Sequence, residues 1–361
     1  MSGQRGYNSY RGRTSPLKIL LIVALVLVIA ASAGFLVLQQ YVVYDESGKP
    51  HFDFSPQTSS DASSSSPAAS ASSSGAQSAA NVPLTVQEPE KPRVLRAVQL
   101  PEGEFSGWDR SAVDPLLQSA DYNALAVTVK DSAGKVFYAS DAASAATGQS
   151  EPASAGEALA GVTQQDGKTA IARLACFLDP TAAQADVEGM GLKNTGGYLF
   201  YDGSNENWLD PAKSGARTYL ISLAKECAAQ GFDELLLTDV SYPTEGKLSK
   251  IAYGTADRAA NLRAFLTELR SALDAAGYQD MLLSLELPAE TILSGSDANA
   301  GQSLAELAPC VDRIYARTTA DEVSALTAQV TAAAADTAFV PELRAGSDPG
   351  ALTDFLLLSA N

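Results

Sequence analysis

Apolar positions along this 361-residue chain fall into three regimes. Ile19–Leu38 is one unbroken apolar run of twenty residues without a charge. From Ser55 to about Ala80 large apolar residues are almost absent. From Arg93 onward, short apolar runs alternate with longer amphipathic ones. The short runs predict strands at Leu95–Leu100, Ala124–Lys130, Thr169–Phe177, Glu234–Thr238, Met281–Leu287, Val311–Tyr315, Ala338–Leu343 and Phe355–Leu358. Runs of this length that are apolar throughout read as strands buried on both faces, which belong to parallel sheets covered by helices. Helical spacing predicts helices over Asp114–Ala120, Thr181–Glu188, Pro211–Gln230, Asp257–Ala276, Gln302–Leu307 and Ala320–Ala334.

The stretch Asp210–Pro243 shows the unit most clearly. Asp210 and Pro211 offer a helix cap and first turn. Tyr219, Leu220, Leu223, Ala224 and Cys227 recur at helical spacing, and Gly231 supplies a left-handed stop before the strand Glu234–Thr238. Eight strands with intervening helices in this span have the rhythm of a (β/α)8 barrel, an α/β fold with its chemistry at the carboxyl ends of the strands. An open doubly wound sheet is the alternative, because alternation alone does not close a barrel.

The two other regimes divide the chain. Residues 1–18 form a basic tail, 19–38 a membrane-spanning candidate, 39–54 a small hairpin, 55–92 a Ser/Ala-rich stalk, and 93–361 the barrel domain. The basic flank of the apolar run places the N-terminus in the cytoplasm and the barrel outside, on a single-pass cell-membrane protein. Ala31-Ser32-Ala33 has the form of a signal-peptide cleavage site, but apolar residues continue past it to Leu38, which favours a retained anchor.

Charge and rare residues narrow the function. The net charge of −17 argues against nucleic acid as a partner. One histidine, His51, leaves the barrel domain without a Ser-His-Asp triad or a His-based zinc site. Cys176, Cys227 and Cys310 lack metal or redox spacing and read as small buried hydrophobes. No phosphate-binding glycine loop follows any strand, and the sequence calls for no cofactor and no metal.

Four segments carry a resemblance: Asn123–Ala139, Thr169–Thr181, Asn207 through Thr244, and Met281–Leu287 with Gly301-Gln302 and Cys310–Ala316. They are similar to a bacterial family of secreted or membrane-anchored glycosyl hydrolases with TIM-barrel domains. In that family the strand matching Leu235–Pro243 reads Phe-Asp-Tyr-x-Arg-Phe-Pro. Here the Asp position is Thr238, the Tyr position Asp239 and the Arg position Ser241. The second strand of the family reads Asp-Val-Lys-Asp, and here Thr128 replaces the first Asp while Lys130 and Asp131 remain. After Tyr315 the family continues with Pro-Met, and here Ala316, Arg317 and Thr318 follow.

The resemblance therefore implies a divergent barrel that is catalytically weak or inactive and binds a polysaccharide or cell-wall glycan. Two other readings stay open: an active glycoside hydrolase, and a structural or interaction module of the cell envelope. Glycoside hydrolysis needs two carboxyl groups. Glu286, which matches an acidic position of the family, and Asp239 are the candidates, although strand alternation points Asp239 away from Thr238 and the barrel interior. Thr128, Lys130, Asp131, Arg173, Asp179, Thr238 and Arg317 are candidate glycan contacts, with Lys130, Arg173 or Arg317 also candidate ion-pair partners of Glu286. Trp208 is expected either to stack on a sugar with Tyr198 and Tyr201 or to pack its loop onto the barrel.

Overall fold

The computed structural model describes residues 42–44, 50–52, 94–103, 110–149, 154–254 and 257–359. The chain divides into two units, Met1–Thr85 and Val86–Asn361. In the first, Val42–Tyr44 pairs antiparallel with Pro50–Phe52, Val43 standing opposite His51. The expected tail, spanning segment and stalk lie outside the described residues. Among the described residues no helix is long and apolar enough to cross a membrane.

The second unit contains a closed barrel of eight parallel strands in sequential order. They are β1 Arg96–Gln99, β2 Ala124–Lys130, β3 Thr169–Ala175, β4 Glu234–Thr238, β5 Leu282–Glu286, β6 Arg313–Arg317, β7 Ala338–Leu343 and β8 Phe355–Leu357. Phe355 pairs with Arg96 and Leu357 with Val98, so β8 seals against β1 and the open-sheet alternative is overturned. The helices are α1 Arg110–Gln118, α2 Asp141–Thr147, α3 Ser154–Thr163, α4 Pro180–Ala185, α5 Ser214–Ala229, α6 Arg258–Ala275, α7 Ala289–Ser294, α8 Leu304–Leu307 and α9 Val323–Ala333.

Two apolar clusters hold this architecture. Leu95, Ala97, Ala124, Ala126, Ile171, Leu236, Tyr315, Val340 and Leu356 fill the barrel interior. The alternate residues of the same strands, such as Leu125, Val127, Leu235, Leu237 and Leu283, join helix residues including Leu220, Leu223, Phe265 and Leu269 in the outer core. This two-sided burial is why the strands read as continuous apolar runs.

Three local expectations are corrected. α5 begins at Ser214 after Lys213, which makes no side-chain cap. Asp210 instead closes the preceding turn by accepting from the Ala212 amide at 3.0 Å. Gln302–Ser303 pairs with Ser296–Asp297, so the helix expected from Gln302 starts at Leu304. Helices α2, α3 and α7 were not anticipated, because their sequences carry few large apolar residues. Two caps not anticipated are present: Asp179 accepts from the Ala182 amide ahead of Pro180, and Asp257 from the Ala259 amide.

Candidate active site

Strand alternation sends one set of side chains into the barrel, and at both ends that set is polar. At the amino end Glu234, fully buried, accepts from Ser284 Oγ at 2.6 Å and from Tyr315 OH at 2.8 Å and is paired with Arg313. Burial comes first in raising the Tyr315 pKa, and the Glu234 charge adds to it. This network seals the floor of the barrel.

At the carboxyl end four charged side chains meet. Arg173 of β3 donates to Glu286 Oε2 at 2.6 Å and to Glu342 Oε1 at 3.0 Å. Arg317 Nε lies 3.7 Å from Glu286 Oε1 and 3.7 Å from Glu342 Oε2. Two guanidinium groups are thus shared by two carboxylates, an arrangement that offsets the desolvation of each. Burial would lower the Arg173 pKa, but Glu342 and Glu286 outweigh it and raise it. Glu342 is 1% exposed. Burial pushes its carboxyl up to about 7, and Glu286 adds to the shift while Arg173 opposes it.

Glu286 and Arg317 of this cluster line a cleft of about 630 Å³ at the barrel mouth. Asp239, Ser241, Glu286, Glu290, Gln302, Arg317 and Glu322 line it. Asp239 reaches the cleft against the expectation from alternation. Its φ of 53° puts the backbone in the left-handed region just past the end of β4, so the chain bends and the one-residue offset no longer decides the side. Ser132 donates to Asp239 Oδ2 at 2.6 Å. Asp239 and Glu286 therefore share one cavity, each already accepting a hydrogen bond.

The remaining expected site residues divide in two. Lys130 is fully buried, with Nζ 3.0 Å from Asp179 Oδ2 and donating to the Ala175 carbonyl at 2.9 Å. A bulge between Thr128 and Lys130 explains its position, because the register shift sets Lys130 opposite Leu174. Lys130 and Asp179 thus form an internal strut and are not part of the cleft lining. Asp131 accepts from the Lys135 amide at 2.8 Å and shapes the turn after β2. Thr128, 8% exposed, joins Gln99 and Glu102 in a hydrogen-bonded group at the mouth. Thr238 ends β4 half-buried. Trp208 belongs to the outer core, is 8% exposed and donates Nε1 to Asp202 Oδ2 at 2.8 Å. It packs its loop onto the barrel and presents no stacking face, whereas Tyr198 and Tyr201 are exposed.

Sequence reasoning missed Glu290, Gln302, Glu322 and Ser132. Glu290 opens α7 just past β5, and that position after a strand end was the available signal. Cys176 and Cys227 are buried and unpaired, and burial first raises both thiols, Cys227 to about 12.

Residues 109–317, more than half of the chain, match a family described as "putative glycosyl hydrolase domain". The chain belongs to that family. The matched region contains β2–β6 and the cleft carboxylates Asp239, Glu286 and Glu290, while β1, β7 and β8 lie outside it. No curated protein matches the chain. Among solved structures, a hypothetical protein from Ruminiclostridium thermocellum is 24% identical, with a TM-score of 0.44 over 53% of this chain and 96% of its own. A cycloisomaltooligosaccharide glucanotransferase from Paenibacillus sp. is 13% identical, with a TM-score of 0.47 over 70% of this chain and 38% of its own. An α-galactosidase from Thermus thermophilus is also 13% identical, with a TM-score of 0.41 over 68% and 49%. The match spans less than half the length of each of these last two proteins.

Proposed function

We propose that the mouth of this barrel binds a polysaccharide or cell-envelope glycan and hydrolyses it slowly or not at all. The observation that carries this reading is the hydrogen-bonding role of the carboxyl groups. Hydrolysis requires one carboxyl to donate a proton to the leaving oxygen while another attacks or activates water. Glu286 accepts from Arg173, and Asp239 accepts from Ser132. The carboxyl raised to about 7, Glu342, is shut behind Arg173 and has almost no exposed surface. Thr128 and Thr238 stand where the resembling family has acids. A polar cleft whose two central carboxyls already serve as acceptors suits recognition better than turnover.

The test is calorimetric titration with a panel of cell-wall and environmental glycans, alongside an assay for new reducing ends. Binding without cleavage supports the proposal. Absence of binding across the panel sinks it.

A second reading, an active glycoside hydrolase, draws on one observation: the left-handed backbone at Asp239 brings its carboxylate into the cavity of Glu286. Non-glycine residues held in that region often mark functional sites. Glu286→Gln and Asp239→Asn each abolish cleavage on this reading. Turnover that survives both substitutions eliminates it.

The proposal includes the location. The charge-free run Ile19–Leu38 behind a basic tail supports a single-pass anchor with the barrel outside the cell. Recovery of the full-length protein in the carbonate-washed membrane fraction is the expected result, and recovery in the soluble fraction contradicts it.

A further inference from the structure

The cleft is built of acceptors. Asp239, Glu286, Glu290 and Glu322 line it against a single cation, Arg317. Glu286 is matched by Arg173 and Arg317. Among the described residues Asp239 is met by the Ser132 hydroxyl and Glu322 by that of Thr318, at 2.8 Å. Glu290 and Glu322 are both exposed at the rim.

A second observation points to a ligand that brings donors. Gln302 is 5% exposed in the wall of the same cleft. Its Nε2 donates to the Val240 carbonyl at 3.1 Å, while its Oε1 has no hydrogen-bond partner among the described residues. A buried acceptor without a donor is costly, on the order of 1–3 kcal/mol, and a ligand N–H or O–H relieves it. A bound metal ion is a poor explanation of these acids. Among the described residues no three His, Cys, Asp or Glu side chains converge closely enough to hold one. The carboxylates are spread along the cleft, as the charges of a repeating chain are.

We infer that the cleft selects a cationic glycan, a chain of amino sugars bearing free amines, over neutral and anionic chains. Protonated amines lying along the cleft meet the acids of Glu290, Glu322 and Asp239, which form no ion pair among the described residues. Uronic acid chains meet the same groups as like charges. This inference rests on the glycan-binding reading and names the class of glycan.

The experiment is titration of the protein with glucosamine tetra- to hexasaccharides in both anomeric linkages, at a pH that keeps their amines protonated. The N-acetylated oligomers of the same length and galacturonic acid oligomers serve as comparisons. The amine form is expected to bind about tenfold more tightly than the N-acetylated form at low ionic strength, the scale of two or three partly exposed ion pairs. Raised salt narrows that ratio. The double variant Glu290→Gln/Glu322→Gln loses most of the preference. Asp280→Asn/Asp336→Asn keeps it, because those exposed acids lie two residues before the starts of β5 and β7, at the opposite end of the barrel.

Equal affinity for the acetylated form overturns the inference and leaves glycan binding intact. Equal loss in the two double variants also overturns it, because net charge then accounts for the preference. Binding of none of the oligomers overturns the inference, and the wider glycan panel then decides the binding reading.

Discussion

Glu342 is a carboxylic acid shut away from water between two guanidinium groups, and its proton affinity becomes a property of the whole domain. Its pKa rises from an ordinary 4.5 to about 7, burial being the main cause. The folded protein therefore binds a proton between those values that the unfolded chain does not. This contribution to stability is complete below pH 4.5 and disappears as pH rises through about 7, with a magnitude on the order of 3 kcal/mol. Urea unfolding midpoints should fall across that window in the parent protein and stay level in Glu342→Gln. Matching slopes in the two proteins would refute the assignment. Asp239 poses a separate residue-scale question, one of backbone. Asp239→Ala and Asp239→Gly both remove the carboxylate, and only the first must hold a Cβ at φ 53°. Asp239→Ala is expected to be less stable than Asp239→Gly by about 1–2 kcal/mol in calorimetry.

At the scale of elements, the turn after β2 is bound to the start of α4. A Cβ at Gly134, where φ is 84°, would lie 2.1 Å from Asp179 Oδ1. Asp179 both caps α4 and pairs with Lys130, so Gly134→Ala strikes the cap and the strut together. Lys130→Met leaves a buried carboxylate without its cation and should cost about 3–5 kcal/mol. Adding Asp179→Asn should recover part of that loss, a coupling that a double-mutant cycle by thermal unfolding measures directly.

The same region shows what was legible in the sequence. All eight strands were readable, because burial on both faces makes each one a short apolar run. The span of α6 was readable from the spacing of Leu262, Phe265, Leu266, Leu269 and Leu273. α2 and α3 were not, because Ala, Ser and Gly leave no strong apolar period. In the site, Glu286 and two of its three expected partners, Arg173 and Arg317, were legible from their strand-end positions, whereas the third, Lys130, pairs with Asp179 instead. The bulge at Lys130 and the bend at Asp239 were not. Each turns on one backbone angle or register step, and a side-chain pattern of period two carries no record of either.

For the whole molecule, contacts between residues far apart in sequence govern the fold. The Leu95 amide donates to Asp354 Oδ1 at 2.8 Å across 259 positions of sequence, and β8 then pairs with β1. Residues 86–361 form one unit by their internal contacts. Expressed alone, they are expected to melt at the temperature of the full-length protein's barrel transition, and a drop of several degrees would show that the N-terminal unit supports it.

Closure by β8 also sets a timetable for the chain as it is made. Until Phe355–Leu357 emerges, β1 and β7 are each left with an unpaired edge, a row of open backbone donors and acceptors inviting a neighbouring chain. Nascent barrels stalled before that point should recruit holding chaperones and cross-associate. Once the last strand is released, they should become resistant to protease in a single step. The closing three residues thus act as a latch on synthesis, and a shortened chain ending before Phe355 should accumulate in inclusion bodies with every cleft residue present.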